Sequence, residues 1–459
     1  MREKILQAVV EGRLLEKTFK YILRKCRRLW KKLRTKYKKF SRQQKAHWKK
    51  GWDVFAFHFF KPVRNLYVRR QKIVPNRIVL SSVDGKYDCN CKYIAQEILR
   101  RKLPVEIFWL VNPGKAPTVP GFPEEITVLR KGTFAALKAM ATAKVWVENE
   151  LRYLKPYRAH KKPGQYYLQT WHGSLGFKKI GRAHMGNQEG KRKRFIDRMA
   201  RLSDKTTDYL ISNSEFESNV FREAYWDTTP ILMYGHCRND ILVDQDPKIR
   251  IQCKERLLRF CGLLPETGEL DSAEYARLMD TKFLLYAPTY RPGLNFENFD
   301  LDFAGLLQAL REKFGGEWKV LLRYHLFNRK VGRKQESNED FLNVTDYPDM
   351  QELMCVADAG VSDYSSWLCD FVLTKRPAFI FATDYEQYAN DRGFYYPLDT
   401  TPFPICEDNL QLQRKVLQLD LAQYEKACQA FLEEKGCVED GNASRRVVDK
   451  IMELMELSV

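Results

Sequence analysis

Residues 171–179 combine a histidine, two glycines and two lysines in a pattern that can act on an anionic substrate. A predicted strand at residues 165–170 runs directly into Trp171, His172 and Gly173. A side chain at the carboxyl end of such a strand lies where open α/β sheets bind their ligands. The glycines let backbone N–H groups approach an anion, and the lysines attract one. We therefore interpret His172 as the candidate centre of the chemistry.

Three further polar corners follow predicted strands later in the chain. Residues 287–291 place a hydroxyl and a guanidinium after an apolar strand, a combination suited to phosphate. Residues 323–325 end a strand with a cation and an imidazole, and residues 362–366 end another and begin a helix. The candidate side chains at these corners are Thr289, Arg291, His325, Ser365 and Ser366. Hydroxyl groups at a helix start can hold phosphate oxygens.

Each corner also has an ordinary structural explanation. A lone histidine at a strand end is commonly a packed residue, and serines at a helix start commonly cap it. Four polar corners, all at predicted strand ends, make independent structural roles a weaker explanation. The sequence contains no P-loop motif and no cluster of metal-ligand type, so it predicts neither a metal nor a cofactor. Arginine, lysine, histidine and helix N-termini would then neutralise a diphosphate.

Strands and helices alternate from residue 76 onward, which predicts parallel sheets with helices on both faces. The predicted strands are residues 77–82, 105–111, 126–129, 144–148, 165–170, 208–212, 283–290, 318–323, 357–362 and 377–381. The predicted divisions are a basic segment at 1–75, a Rossmann-like domain at 76–244, a helical linker at 245–280, a second Rossmann-like domain at 281–408 and C-terminal helices at 409–459. Two such domains would face each other across a cleft.

The positive charge of the chain is concentrated at its amino-terminal end. Residues 1–75 hold 24 Lys and Arg against 4 Asp and Glu, so they carry the whole net charge of +20. Residues 14–40 place aliphatic and aromatic side chains at steps of three and four between these cations, and residues 52–60 form a short apolar run. A basic amphipathic helix of this kind is typical of proteins on an anionic membrane surface. Nucleic-acid binding, packing on the protein's own body or a coiled coil would also fit.

The remaining composition indicates a reduced, intracellular environment. Eleven cysteines are scattered without a CxxC pair, the start lacks a signal-peptide pattern, and no apolar run reaches about 18 residues. We expect a peripheral protein on the cytoplasmic face of the cell membrane.

The corner motifs together resemble the CDP-glycerol glycerophosphotransferase family of teichoic-acid primases and polymerases. The matching segments are Gln-Thr-Trp-His-Gly at 169–173, Gly-His-Cys-Arg-Asn-Asp at 235–240, Ala-Pro-Thr-Tyr-Arg at 287–291, Ser-Asp-Tyr-Ser-Ser at 362–366, Lys-Arg-Pro at 375–377, Tyr385 and Arg-Gly-Phe at 392–394. Cys237 stands where the family has proline. At residues 174–177 the chain has Ser-Leu-Gly-Phe where the family has Thr-Pro-Leu-Lys. This difference lies next to His172, in the part of the site that is expected to meet the acceptor.

The resemblance implies a GT-B-like fold, with residues 76–244 as the acceptor domain and 281–408 as the CDP-alditol domain. It implies transfer of an alditol phosphate, glycerol phosphate being favoured, from CDP-glycerol or CDP-ribitol with release of CMP. The acceptor would be a polyprenyl-diphosphate-linked saccharide or a growing teichoic-acid-like or capsular polymer. His172 would act as general base. His325 and Arg291 would stabilise the diphosphate, with Thr289, Ser365, Ser366 and Arg238 binding the substrate and residues 345–350 meeting the cytidine.

Two other functions compete with this interpretation. A GT-B glycosyltransferase using a nucleotide sugar on a lipid-linked acceptor would share the fold and the membrane segment. A nucleic-acid-binding protein would use the basic arm instead, but the balanced charge of residues 76–459 and the cleft motifs argue against it. We therefore expect no nucleic-acid partner.

Overall fold

Two α/β units make up the structure, a computed structural model that describes residues 61–112, 122–151, 161–185, 190–244, 246–266, 270–289, 301–324, 336–383 and 393–457. Each unit is built on a sheet whose strand pairs are all parallel. This confirms the prediction of two parallel-sheet α/β domains. Residues 1–60, which contain the predicted amphipathic helix and the apolar run, lie outside the described residues.

The first sheet contains seven strands among the described residues. They are β1 (Val74–Ser81), β2 (Glu106–Val111), β3 (Thr127–Arg130), β4 (Ala143–Glu148), β5 (Tyr166–Gln169), β6 (Tyr209–Ser212) and β7 (Ile231–Met233). Their order in the sheet is β3-β2-β1-β4-β5-β6-β7. The strand order reverses between β1 and β4, and ligands of doubly wound sheets bind in the crevice at that point.

The second sheet repeats this order with six strands in the described part of the chain. They are β8 (Lys282–Tyr286), β9 (Trp318–Leu322), β10 (Phe341–Asn343), β11 (Ala359–Ser362), β12 (Ala378–Phe381) and β13 (Ile405–Cys406). Their order is β10-β9-β8-β11-β12-β13, so the equivalent reversal lies between β8 and β11. The two sheets therefore offer two equivalent ligand-binding edges.

Helices cover both faces of the sheets, which is why the strands are continuous apolar runs buried on both sides. The described helices are α1 (Lys61–Arg70), α2 (Cys89–Arg100), α3 (Phe134–Thr142), α4 (Gly181–Met185), α5 (Lys191–Thr206), α6 (Glu215–Ala224), α7 (Asp240–Val243), α8 (Pro247–Phe260), α9 (Ser272–Asp280), α10 (Phe303–Phe314), α11 (Met350–Val356), α12 (Trp367–Phe371), α13 (Asn409–Gln418), α14 (Leu421–Glu434) and α15 (Ala443–Met455). None of these described helices is both long and apolar enough to cross a membrane.

The chain crosses between the units more than once. The helix α15 returns to the first unit, where Val447 and Ile451 join the core formed by α2 and β1. Its amino-terminal end is held by Asp240, whose carboxylate accepts the N–H groups of Ala443 and Ser444. The polar stretch at 245–280 contains α8 and α9, and α8 buries Leu257 in the second core. Both stretches are therefore packed parts of the two units.

Two features of the sheets and their edges differ from the sequence-based expectation. The strands β7, β10 and β13 were not predicted, because runs of two or three residues carry no readable periodicity. At the other end of the chain, α1 buries Tyr67 and Val68 against α3 and β1. The last part of the predicted basic segment is thus packed on the first sheet.

Candidate functional site

A cleft of about 370 Å³ lies between the carboxyl edges of the two sheets. The first unit lines it with Lys86, Asp88, Asn149, His172 and Arg238. The second unit lines it with Arg323, Thr345, Gln351, Ser365, Ser366 and Asp370. The cleft therefore joins both strand-order reversals, and it contains four of the sequence-predicted site residues: His172, Arg238, Ser365 and Ser366.

The corner after β5 is a strained turn that presents His172 to the cleft. Trp171 adopts a left-handed conformation with φ of 52°, which is uncommon for a large side chain and typical of functional corners. Its N–H donates to Oε1 of Gln169, 2.9 Å away, and its indole packs against Trp226. The imidazole of His172 stacks on the same indole, with the ring centres 4.5 Å apart. The turn and the aromatic packing together fix the direction of the imidazole.

The hydrogen bond of His172 determines which of its nitrogens can act as a base. Its Nδ1 lies 2.5 Å from the backbone carbonyl of Asn149. Because a carbonyl oxygen only accepts hydrogen bonds, Nδ1 must carry the proton, and the neutral ring has its lone pair on Nε2. The ring is exposed to the cleft, yet the surrounding walls desolvate it. That desolvation lowers the pKa of His172 below its ordinary value of 6.5, although the bond to Asn149 opposes the effect.

A buried polar layer supports this corner from below. The amide of Asn90 donates to the carbonyl of Thr170 at 3.0 Å, and it lies 3.4 Å from Nδ1 of His236. The other ring nitrogen of His236 is 2.8 Å from the carboxylate of Glu217. Burial opposes the charged ring, but the Glu217 carboxylate raises the pKa of His236. Sequence analysis missed this layer, because nothing in its spacing connects residues 90, 217 and 236.

The segment after His172 crosses into the second unit. Leu175 and Phe177 are fully buried in the core of that unit. The hydroxyl of Tyr396 donates to the carbonyl of Leu175, and the N–H of Tyr395 donates to the carbonyl of Phe177 at 2.6 Å. The departure at residues 174–177 therefore supplies two apolar side chains that join the units directly below the cleft.

The residues of the second unit that line the cleft form its second wall, and Asp363 stabilises the corner from which this wall begins. One of its carboxylate oxygens accepts both the backbone N–H and the hydroxyl of Thr289. Next to it, the hydroxyl of Ser362 donates to the carbonyl of Ala287 at 2.8 Å. These bonds tie the ends of β8 and β11 together. Thr289 is thus committed to Asp363 and is not among the residues that line the cleft.

Ser365 and Ser366 extend from this tied corner into the cleft. Ser366 is exposed and occupies the N-cap position of α12, but its side chain makes no capping hydrogen bond. A Cβ atom on Gly176 would lie 3.6 Å from the Cβ of Ser366, so the backbone after His172 closely approaches this serine. Both serines therefore line the same cleft as His172, and the Ser366 hydroxyl is not used to cap its helix.

The segment at 345–350 forms the far end of the second wall. Thr345, Pro348 and Met350 line the cleft, and Asp349 caps α11 by accepting the N–H of Gln351. Arg323 follows β9 and donates from Nη1 to the carbonyl of Tyr347 at 2.9 Å. The arginine and the segment therefore form one supported surface beside the serines.

Three buried ion pairs, formed by two cations of the first unit, connect the two walls. Arg238 from the first unit lies 2.9 Å from the carboxylate of Asp370, and it donates to the carbonyl of Gly173 at 2.8 Å. Burial opposes the charge of Arg238, but Asp370 raises its pKa above the ordinary value. On the other side, Lys92 lies 2.5 Å from Asp349 and 2.7 Å from Glu352. Each pair joins the first unit to a helix of the second.

Two predicted site residues lie outside the residues that the structure describes, and two residues that line the cleft were not predicted. Arg291 and His325 fall outside the described residues, so their predicted roles stay predictions. Asn149 and Asp88 were missed, although each follows a strand or begins a helix at the first reversal point. Burial raises the pKa of Asp88 to about 7, against the opposing charge of Lys86. The only available signals were the position of Asn149 after a buried strand and that of Asp88 at a helix start.

A second surface feature lies on the helix α5. Its outward-facing residues are Lys191, Arg192, Arg194, Phe195, Arg198, Arg201, Leu202 and Lys205. This face combines six cations with two exposed apolar side chains, one of them Phe195, which is 50% exposed. The helix carries no exposed acidic residue. Such a face suits an anionic surface with an apolar interior, such as the headgroup region of a membrane.

Comparison with known proteins agrees with the geometry of the cleft. A family model described as CDP-Glycerol:Poly(glycerophosphate) glycerophosphotransferase matches residues 63–453. A teichoic acid poly(glycerol phosphate) polymerase of Staphylococcus epidermidis is 30% identical over 84% of this chain and 52% of its own length. The chain thus spans about half the length of that relative. A teichoic acid ribitol-phosphate primase of Bacillus spizizenii is 30% identical over 69% of this chain and 77% of its own length.

A solved structure extends the comparison to three dimensions. The wall teichoic acid polymerase TagF, in a histidine variant soaked with CDPG, is 25% identical and superposes with a TM-score of 0.70. The match covers 89% of this chain and 98% of that chain, so it includes both sheets and the cleft between them.

Proposed function

The chain belongs to the CDP-glycerol:poly(glycerophosphate) glycerophosphotransferase family, and from that premise we propose that it transfers an alditol phosphate from a CDP-alditol to a hydroxyl group. Glycerol phosphate from CDP-glycerol is the favoured substrate, with CDP-ribitol as the alternative. The acceptor is a polyprenyl-diphosphate-linked saccharide or a growing alditol-phosphate chain. The two units act as a GT-B-like pair, the first sheet facing the acceptor and the second the donor.

The observation that carries the proposal is the orientation of His172. With Nδ1 committed to the Asn149 carbonyl, Nε2 can accept the proton of an acceptor hydroxyl. The acceptor oxygen then forms a bond to the β-phosphorus of the donor, and the bond from that phosphorus to the oxygen of CMP breaks. The proton ends on Nε2 of His172, and the electron pair of the broken bond leaves with CMP. A lowered pKa supports this role, since the ring is then neutral near pH 7.

The second wall holds the donor in this proposal. Ser365 and Ser366 both line the cleft and donate their hydroxyl groups to phosphate oxygens in this proposal; the Ser366 side chain is not used in capping α12. The segment at 345–350 meets the cytidine. His325 and Arg291 stabilise the diphosphate and the departing CMP. Positioning and charge neutralisation of this kind account for most of the catalysis in phosphoryl transfer.

Arg238 and Thr289 contribute indirectly. The guanidinium of Arg238 contacts Asp370 and the carbonyl of Gly173, so it fixes the residue next to His172 against the donor wall. Thr289 holds Asp363 and with it the corner that carries the serines. We propose positioning roles for both, in place of direct contacts with substrate.

Peripheral attachment to the cytoplasmic face of the membrane completes the proposal. A lipid-linked acceptor requires the cleft to work close to a bilayer. The basic residues of 1–75 and the outward face of α5 both offer cations with apolar side chains. They would attach the protein to anionic lipid, with the acceptor sugar reaching the first wall.

A donor panel tests the proposed reaction. The protein is incubated with CDP-glycerol, CDP-ribitol and UDP-sugars, each with a synthetic lipid-linked disaccharide, and the products are analysed by mass. Release of CMP with addition of alditol phosphate is the expected result, and the product length tells priming from polymerisation. Release of UDP with addition of a sugar would establish the glycosyltransferase alternative and overturn the proposal.

The membrane assignment needs a separate test. The truncation removes residues 1–60 and keeps α1, because α1 packs on the first sheet. We expect this truncation, or replacement of Arg194 and Arg198 by glutamate, to weaken sedimentation with phosphatidylglycerol vesicles at low salt. A matched charge reversal at Arg311 and Lys313 on α10 should have no effect. Unchanged sedimentation after both changes would contradict the assignment.

A further inference from the structure

The motif Gly-His-Cys-Arg-Asn-Asp at 235–240 surrounds a carboxylate that comes from far along the chain. Glu439 lies between α14 and α15, and its Oε1 accepts hydrogen bonds from Nδ2 of Asn239 at 2.9 Å and from the backbone N–H of His236 at 3.1 Å. A Cβ atom on Gly235, whose φ is 85°, would lie only 2.6 Å from Oε2 of Glu439. The glycine, the N–H group and the asparagine amide of this motif therefore all accommodate one carboxylate.

The same carboxylate is connected to the segment after His172 through Asn213. Nδ2 of Asn213 lies 3.1 Å from Oε1 of Glu439 and 2.7 Å from Oγ of Ser174. An amide nitrogen carries two hydrogens, so it can donate to both oxygens. The hydroxyl of Ser214 donates to Oδ1 of Asn213 at 3.1 Å, which fixes the orientation of the amide. The second residue after His172 is therefore held from the carboxylate.

A second connection runs from the carboxylate through Asn239. The amide nitrogen of Asn239 also lies 3.1 Å from Oδ1 of Asp370. Asp370 pairs with Arg238, and Arg238 donates to the carbonyl of Gly173 at 2.8 Å. Both connections from the carboxylate thus end on the two residues that directly follow His172.

We propose that Glu439 is a positioning residue, which keeps the imidazole of His172 in the direction required for proton transfer by holding the two residues that follow it. This inference rests on the role of His172 in the proposed function. Asn213 and Asn239 are fully buried, so their amides cannot turn to water when the carboxylate is removed. They would have to find other acceptors, and the segment after His172 would move with them.

The variants Glu439→Met and Glu439→Gln separate the hydrogen bonds from the space that the side chain fills. Methionine is similar in size but has no oxygen, whereas glutamine keeps an Oε1 that can accept from the same three N–H groups. We expect kcat for CMP release from CDP-glycerol to fall by about 10²-fold in Glu439→Met, as for a base displaced by about 1 Å. In Glu439→Gln it should stay within about fivefold of the parent protein, because neutral hydrogen bonds replace charged ones. The KM for CDP-glycerol should change by less than about twofold in both variants.

A double-mutant cycle distinguishes a positioning role from a purely structural one. In a protein that already carries His172→Ala, Glu439→Met should lower the residual rate by less than about twofold, because the base that it positions is absent. Glu453→Gln, on the exposed face of α15, is the matched control and should keep the parent's kcat. Equal losses with and without His172, equal losses in Glu439→Met and Glu439→Gln, or a Glu439→Met variant with the parent's kcat would overturn the inference.

The Nδ1–H resonance of His172, measured in protein with ¹⁵N-labelled histidine, tests the inference without turnover. It should shift in Glu439→Met and stay in place in Glu439→Gln. If Glu439→Met did not fold, Ser174→Ala would break the first connection at its other end and should produce a shift of the same resonance. An unchanged resonance in the folded variant would overturn the inference. A parent protein that released no CMP from CDP-glycerol or CDP-ribitol would instead overturn the proposed function, and the resonance would still show whether Glu439 positions the imidazole.

Discussion

The two sheets share one strand order, yet their facing edges carry different chemistry. On the first edge, a left-handed corner after β5 presents an imidazole whose tautomer is set by a backbone carbonyl. On the second edge, hydroxyl groups follow β11, and a carboxylate ties the corner together. The shared topology provides two equivalent edges, and in the proposed function the side chains at each corner make one edge accept a proton and the other hold an anion.

The difference extends to how each edge is supported. His172 rests on a buried layer that includes Asn90 and His236, whereas the serines of the second edge rest mainly on bonds between strand ends. A base must be aimed within a narrow range of angles, and an anion can be held by several donors at once. The first edge should therefore be less tolerant of substitution than the second.

The largest expected effect comes from removing the imidazole. His172→Ala should lower CMP release from CDP-glycerol by about 10²–10⁴-fold, the usual contribution of a general base. Binding of CDP-glycerol, measured by calorimetry, should persist because the proposed function places the donor on the other wall. His184→Ala, on α4 outside the cleft, is the matched control and should retain full activity. Substantial CMP release by a folded His172→Ala protein would remove the imidazole from the mechanism.

Breaking the ion pair between the edges should affect stability more than chemistry. Asp370→Asn leaves the guanidinium of Arg238 buried without its carboxylate, and loss of one partner of a buried pair costs about 3–5 kcal/mol. The measurement is the free energy of unfolding in urea. Asp227→Asn breaks the more exposed pair with Arg182 and should cost less than about 1 kcal/mol. Similar costs for the two variants would mean that Arg238 and Asp370 do not hold the walls together.

The two serines at the second edge allow a direct test of the anion-holding role. Ser365→Ala with Ser366→Ala should raise the KM for CDP-glycerol by about 10-fold or more, as expected for lost hydrogen bonds to a charged group. Stability should hardly change, since Ser366 makes no capping bond.

Ser214→Ala supplies the opposite case at another helix start. Its hydroxyl accepts the N–H of Glu217 at 3.0 Å and caps α6. Its loss should cost about 1 kcal/mol of stability and leave the KM unchanged. If both sets of variants behaved alike, the distinction between a capping serine and a phosphate-holding serine would be wrong.

Much of both edges was predictable from the sequence, for a physical reason. The strands are buried on both faces, so they are continuous apolar runs, and the polar residue after each run marks a corner. That rule located His172, Ser365 and Ser366 in the cleft. It could not locate Asn149, because this residue contacts His172 through its backbone carbonyl, which any residue type would supply.

Other residues were beyond sequence reasoning because their partners are far away in the chain. Arg238 pairs with Asp370 across 132 positions, and Lys92 pairs with Asp349 across 257. The face of α5 was also overlooked, since its cations form a surface only once Met199 and Ala200 are known to point inward.

The smallest effect concerns the pH at which the first edge works. A protonated His172 cannot accept a proton, so kcat/KM should fall about tenfold per pH unit below its pKa and level off above it. Desolvation lowers that pKa, which places the midpoint below 6.5 and the plateau across neutral pH. The charge of Glu150 opposes this shift, so Glu150→Gln should move the midpoint lower still.

At pH 7.5 both proteins are on the plateau, and their kcat/KM values should agree within about twofold. The measurement is the pH dependence of kcat/KM for CDP-glycerol between pH 5 and 9. A midpoint above 6.5, or an upward shift in Glu150→Gln, would show that the group being titrated is not a desolvated imidazole next to that carboxylate. The serines of the second edge do not titrate in this range, and the two proteins differ only at residue 150, so a shift between their profiles belongs to the first edge.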